Sequence, residues 1–226
     1  MFYLFLLAHL VADFVLQPFW LVVRKRYWYG LLIHSSIVFG CMLLLPLVDP
    51  ASRSLWPIML GISVIHAGTD WLKVHYGDRV PGPPIVSFML DQVVHVCVIW
   101  GMLSLVLPVE HIWAPGLSPA THMAIYGSVY IIAALGVPIG VIVWLDPIFA
   151  HRTCAVGARL RSLVASVVAI SCMLIGGVLA LPAILIGLTL AIHHPRSQHP
   201  LDTPAGMLVV LIIATLLAAI LMLLPV

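Results

Sequence analysis

Charge is what this sequence has least of. Lys, Arg, Asp and Glu make up 8% of its 226 residues, against about 25% in a soluble domain. So few ionised side chains cannot clothe a water-facing surface, and with a mean hydropathy of +1.18 the chain reads as an integral membrane protein. The net charge is only +2, and the basic residues stand in short clusters between apolar runs. That pattern excludes nucleic acid as a partner. Cysteine is also sparse: Cys41, Cys97, Cys154 and Cys172 show no C-x-x-C spacing, and three of them lie inside apolar runs. Neither a structural zinc ribbon nor a disulfide framework follows. The N-terminus lacks the basic region of a signal peptide. Its first apolar stretch carries His9 and Asp13, and the positive cluster comes afterwards, so a retained membrane helix is expected.

What the chain has in abundance is apolar runs of about 20 residues, the length needed to span a bilayer. They predict an all-α polytopic fold with seven transmembrane helices near 2–23, 30–48, 56–74, 85–107, 122–145, 163–185 and 205–225. The stretch 163–192 is long for one span and short for two, and it contains Gly176, Gly177 and Pro182. It reads either as one kinked span or as a span plus a re-entrant segment. Arg24, Lys25 and Arg26, then Lys73 and Arg79, then Arg152, Arg159 and Arg161 fall in alternate connections, whereas the opposite connections hold Arg53 and Arg196. The positive-inside rule then places the N-terminus outside and the C-terminus in the cytoplasm. Trp20, Trp28, Trp56, Trp71 and Trp113 suit an interfacial aromatic belt.

Against this background the polar residues of the first four helices stand out. They are His9, Asp13 and Gln17; His34; His66, Asp70 and Lys73; and Asp91, Gln92 and His95. Three of these helices carry a His and an Asp four residues apart, a spacing that puts both on one helical face. Buried ionisable groups in a membrane are costly, so they face a bundle interior and pair, or mark a functional path. Counted inward from the cytoplasmic flank at ~1.5 Å per residue, most of them fall within one slab at ~10–16 Å, with His9 outlying at ~22 Å. Residues 1–107 therefore read as a polar-cored, site-bearing half. An offset of 57 residues aligns His9 and Asp13 with His66 and Asp70, and His34 with Asp91. This suggests parallel repeats over 1–48 and 56–107. Residues 108–226 read as apolar scaffold, with His193, His194 and His199 in a solvated outer loop and Asp146 and Asp202 at helix ends or turns.

Imidazoles and carboxylates are the donor set of a catalytic transition metal, zinc first, with manganese or iron as alternatives. On that reading His9, His34, His66, Asp70 and His95 are the ligands, Asp13 and Asp91 act as general bases, and Gln17 and Gln92 support the ligands from behind. Lys73 is either an anchor for an anionic group near the headgroups or a snorkelling flank residue. The seven His and Asp groups exceed what one ion needs, so some are supporting groups or two ions bind. The leading expectation is a metal-dependent membrane hydrolase acting on a lipid or lipid-linked substrate at the cytoplasmic side. A proton-coupled transporter using the same acid–histidine chain is the alternative, as is a non-catalytic assembly protein whose polar network sets helix register.

The run L-x-A-H-L-x-A-D-F-x-L-Q at the start, His34, the H-x-x-x-D-W-x-K from His66 to Lys73 and the F-x-L-D-Q-x-x-H from Phe88 to His95 together resemble a bacterial membrane family, domain of unknown function 3307. The resemblance covers the first 107 residues and implies a bacterial inner-membrane location without implying an activity. A looser likeness, in residue type and spacing, is to intramembrane metal-dependent hydrolases. It implies metal ligation by a subset of Asp13, His34, His66, Asp70, Asp91 and His95. The ceramidase-like members of that group use a histidine pair spaced H-x-x-x-H, which this sequence lacks.

Overall fold

The structure is a computed structural model that describes residues 1–113, 118–146, 155–181, 184 and 199–223. Among these residues all regular structure is helical. Five helical segments are long and apolar enough to cross a membrane: Trp28–Leu47, Pro84–Ser104, Pro119–Leu145, Val156–Gly176 and Pro204–Met222. Their outer faces are apolar too, with Leu32, Val93 and Val168 exposed to 57%, 57% and 52%. A surface of that kind is stable against lipid and not against water. The chain divides into two compact units, Met1–Ser128 and Val129–Val226.

In the first unit, α1 (Phe2–Leu10) runs on into a π-helical turn, Val11–Val15. After a break at Gln17 and Pro18 come a short α2 (Phe19–Arg24) and α3 (Trp28–Leu43). The expected single helix over 2–23 is thus two pieces. Pro18 lacks an N–H to continue the ladder and holds an extended ψ of 155°, which ends one helix and starts the next. Helix α4 (Trp56–Tyr76) and α5 (Pro84–Ser104) follow as predicted from their apolar runs. Helix α4 has 21 residues but falls outside the strongly apolar set, because His66, Thr69, Asp70, Lys73 and His75 share its C-terminal half. A short α6 (Val109–Trp113) and the part of α7 (Pro119–Ile131) up to Ser128 close the unit.

Helix α1 packs on α3 and α5, α3 on α4, and α4 on α5, so the four form a closed ring. Each turns every fourth residue inward: Phe5, His9 and Asp13; Gly30, His34, Val38 and Met42; Ile62, His66 and Asp70; Asp91, His95, Ile99 and Leu103. Neighbours run antiparallel, so the apolar halves of these stripes meet at one end, where Phe5, Met42, Met59, Ile99 and Leu103 form the core. The polar halves meet at the other end.

In the second unit α7 leads through a π-turn (Ile132–Gly136) into α8 (Val137–Leu145), and α9 (Ala155–Gly176) packs on α10 (Pro204–Met222). Arg161, near the start of α9, holds Asp202, just before α10, through Nε–Oδ1 at 2.9 Å and through a second guanidinium–carboxylate contact. At the far end Gly177 lies close to Met222. Helices α9 and α10 therefore run parallel, whereas a strict alternation of seven spans, with the C-terminus in the cytoplasm, requires them antiparallel. His199 is buried, its Nδ1 accepting from the Leu201 amide at 3.2 Å, and does not sit in a solvated loop. Asp202 is the partner of Arg161 as well as a turn residue. His193, His194, Cys154, Arg152, Arg196 and most of 182–198 lie outside the described residues.

Candidate functional site

The polar end of the four-helix ring gathers Asp13, His34, His66, Asp70, Asp91 and His95, all buried, together with His9. Local sequence explains their inward aim. His66 and Asp70, and Asp91 and His95, are one helical turn apart, and their facing atoms lie 3.5 and 3.4 Å from each other. On the first helix the π-turn does the equivalent work. The Leu16 amide reaches back five residues to the Val11 carbonyl at 2.9 Å, and this wide turn carries Asp13 inward with its Oδ2 3.8 Å from His9 Nε2. Wide turns of this type recur at functional sites.

Four donor atoms from three stretches of the chain, the π-turn, α3 and α4, lie close together. Asp13 Oδ1 lies 3.2 Å from His34 Nε2 and 3.6 Å from His66 Nε2. Asp70 Oδ2 lies 3.5 Å from each of those nitrogens, and the nitrogens are 2.8 Å apart. A tetrahedron of ligands at about 2.0–2.1 Å from a zinc ion has edges of about 3.3–3.4 Å. The observed separations bracket that value. A second group, Asp70, Asp91 and His95, adjoins the first: His95 Nε2 stands 3.6 Å from Asp70 Oδ1 and 3.4 Å from Asp91 Oδ1. A third donor triad combines His9, Asp13 and His66.

The surroundings set which ring nitrogens are bare. With its amide turned to satisfy its neighbours, Gln17 donates to the Asp13 carbonyl at 3.2 Å and accepts from His34 Nδ1 at 3.2 Å and from the Lys25 ammonium. With the proton on Nδ1, His34 Nε2 presents a lone pair to the cluster, where it accepts from His66 Nε2 at 2.8 Å. Thr69 does the same for His95. Its hydroxyl donates to the His66 carbonyl at 2.9 Å, so its oxygen is free to accept from His95 Nδ1 at 3.2 Å. Three buried atoms of the cluster, His9 Nε2, Asp13 Oδ1 and His95 Nε2, have no hydrogen-bond partner. Buried polar atoms are ordinarily paired, and here the unpaired ones belong to the donor groups just described.

Two lysines complete the charge pattern. Lys25 Nζ binds Asp70 Oδ2 at 2.5 Å and Lys73 Nζ binds Asp91 Oδ2 at 2.6 Å. Lys73 is partly exposed, and Gln92 donates to the same Asp91 oxygen at 3.1 Å. Reading the sequence placed Lys25 with Arg24 and Arg26 as a flanking positive cluster. The structure leaves those two exposed and buries Lys25, which stands at the corner where α2 ends and the chain turns into α3. Thr69 was also missed, although its position three residues after His66 is a signal, since a threonine there reaches a carbonyl of the preceding turn. His9 is no outlier: its ring centre is 5.3 Å from that of His66 and 5.1 Å from that of His95. The count of helical rise assumed one straight helix from Arg24, which the break at Gln17 and Pro18 removes.

This constellation lies wholly within a stretch that matches one known family. Residues 1–133 match the family described as "Protein of unknown function (DUF3307)". The chain belongs to this family. No curated protein and no solved structure matches it. In this DUF3307 member the matched region covers all the His and Asp groups of the site, both lysines and the whole of the four-helix ring.

Proposed function

We propose that this protein is a bacterial inner-membrane hydrolase that depends on a divalent transition metal and acts on a lipid or lipid-linked substrate from the cytoplasmic side. The observation that carries the reading is the gathering of Asp13 Oδ1, His34 Nε2, His66 Nε2 and Asp70 Oδ2, with five pair separations of 2.8–3.6 Å, and with the far ring nitrogens of His34 and His95 held by Gln17 and Thr69. Zinc suits this donor set, and manganese or iron are compatible with it. When bound, such an ion polarises a carbonyl or phosphoryl oxygen and acidifies a neighbouring water. His9, beside the donors with its Nε2 unpartnered, would be the group to take up and release a proton during hydrolysis.

A lipid substrate fits the approach to the site. A cavity of about 230 Å³ between α4 and α5 is lined by Leu72, Val80, Leu90 and Val94, with Thr69, Lys73 and Asp91 among its polar members. Its apolar walls suit an acyl chain, and the Lys73 ammonium suits an anionic headgroup. The reading takes the seven apolar helical stretches among the described residues as spans, including Phe2–Val15 and α4, with the two helix pairs of the ring as parallel repeats. The basic connections around Arg24 and Arg79 then face the cytoplasm and the N-terminus lies outside. The cytoplasmic C-terminus is not carried into the proposal, because α9 and α10 run parallel.

The test is elemental analysis of monodisperse, detergent-purified protein, wild type beside His66→Ala, followed by a lipid hydrolysis screen with and without chelator. Stoichiometric metal lost in the folded variant, and chelator-sensitive turnover, are expected. Metal-free wild type after supplementation would sink the reading. The second reading is proton-coupled transport, favoured by the series Lys25, Asp70, His95, Asp91 and Lys73, whose successive polar atoms lie 2.5–3.6 Å apart. Uptake into proteoliposomes driven by a pH gradient and abolished in Asp70→Asn would select it.

A further inference from the structure

We propose that the centre is dinuclear, with Asp70 bridging two divalent ions through its two carboxylate oxygens. The inference rests on the metal reading above and goes beyond it in number, connectivity and substrate charge. Its basis is that the two oxygens of Asp70 face different donor sets. Oδ2 lies 3.5 Å from both His34 Nε2 and His66 Nε2, the pair joined by Asp13 Oδ1. Oδ1 lies 3.6 Å from His95 Nε2, which is 3.4 Å from Asp91 Oδ1. The first set holds one ion with four protein atoms. The second offers three, leaving positions for water and substrate, as catalytic sites do.

The second set has its own independent signature. His95 Nε2 is buried without a hydrogen-bond partner, although two carboxylate oxygens lie within 3.6 Å. Its Nδ1 is held by Thr69, so in the neutral ring the nitrogen aimed at those oxygens carries a lone pair. That lone pair, set against two carboxylates, is relieved by a cation standing among them, a divalent ion in place of a ring proton. Neither lysine fills that role. Lys73 binds the opposite oxygen of Asp91, Oδ2, and Lys25 binds the opposite oxygen of Asp70. Each carboxylate oxygen has two lone pairs, so Asp70 Oδ2 can serve Lys25 and an ion together.

Two-metal hydrolytic sites hold their ions about 3.5–4 Å apart, a separation that one carboxylate spans with an oxygen on each. Two divalent ions and two ammonium groups outweigh the charge of Asp13, Asp70 and Asp91. The surplus positive charge is offset by an anionic reacting group, so a phosphate-bearing lipid is the fitting substrate class, ahead of a neutral ester.

The experiment is titration of chelator-stripped, monodisperse full-length protein with Mn²⁺, followed by bound-metal analysis and electron paramagnetic resonance. Two equivalents are expected, with a spectrum altered by exchange between the ions. Asp91→Asn and His95→Gln, each checked for monodispersity, are expected to hold one equivalent with an isolated six-line signal. Two equivalents without exchange coupling would overturn the bridge. One equivalent in wild type, unchanged in both variants, would overturn the dinuclear inference and leave the single-metal reading intact. No bound Mn²⁺ in well-folded wild type would overturn both.

Discussion

Lys25 shows how much one residue's environment can differ from its neighbours'. Arg24 and Arg26 are exposed, and Arg24 lies 5.2 Å over the Trp20 ring. Lys25 is buried and holds Asp70 at 2.5 Å. Removing one partner of a buried ion pair strands the other charge and costs about 3–5 kcal/mol. Lys25→Met is therefore expected to destabilise the metal-free protein by that order. Arg24→Met, at an exposed position, should stay within about 0.5 kcal/mol. Thermal unfolding of both variants in detergent tests the contrast, and equal, mild effects would show that Lys25 does not support Asp70.

At the scale of elements, the corner between α2 and α3 is what brings Lys25 to the site. Gly30 makes this corner possible. A Cβ there would sit 2.1 Å from the Arg24 carbonyl oxygen and 2.9 Å from the Lys25 amide nitrogen, both rigid backbone atoms. Gly30→Ala must push α2 away and lift Lys25 from Asp70. It is expected to destabilise at least as much as Lys25→Met, and the double variant should cost less than the two single effects added, because both break the same contact. Gly40, on the same helix α3, has open space where a Cβ would stand, with no neighbouring atom within 4 Å. Gly40→Ala should be neutral or stabilising by up to about 1 kcal/mol from helix propensity. Additive effects of Gly30→Ala and Lys25→Met would argue that the corner and the ion pair are independent.

For the whole molecule, the apolar exterior and the ring of antiparallel helices put Arg53 and Arg79 at opposite ends of α4. Both are exposed. With the N-terminus outside, Arg53→Cys in a background lacking the native cysteines should react with a membrane-impermeant maleimide in cells whose outer membrane alone is permeabilised. Arg79→Cys should react only once the inner membrane is opened. The reverse pattern would invert the protein and move the polar end of the ring, with its cavity between α4 and α5, to the outer side.

Much of this was legible in the chain itself. Apolar run length and the scarcity of charge determine helices in a membrane, since both follow from the solvent and need no partner. The four-residue spacing of His66 with Asp70 and of Asp91 with His95 determines that each pair shares a face, since that is a property of one helix alone. What the tertiary structure decided is how those faces meet. The π-turn and the break at Pro18 bring His9 and Asp13 into the cluster and return Lys25 to it. Packing between helices turns the two oxygens of Asp70 towards different histidines, and makes α9 and α10 parallel where alternation of spans predicts the reverse. These depend on contacts between residues far apart in sequence, such as Lys25 with Asp70 and Arg161 with Asp202, and no local pattern of spacing encodes them.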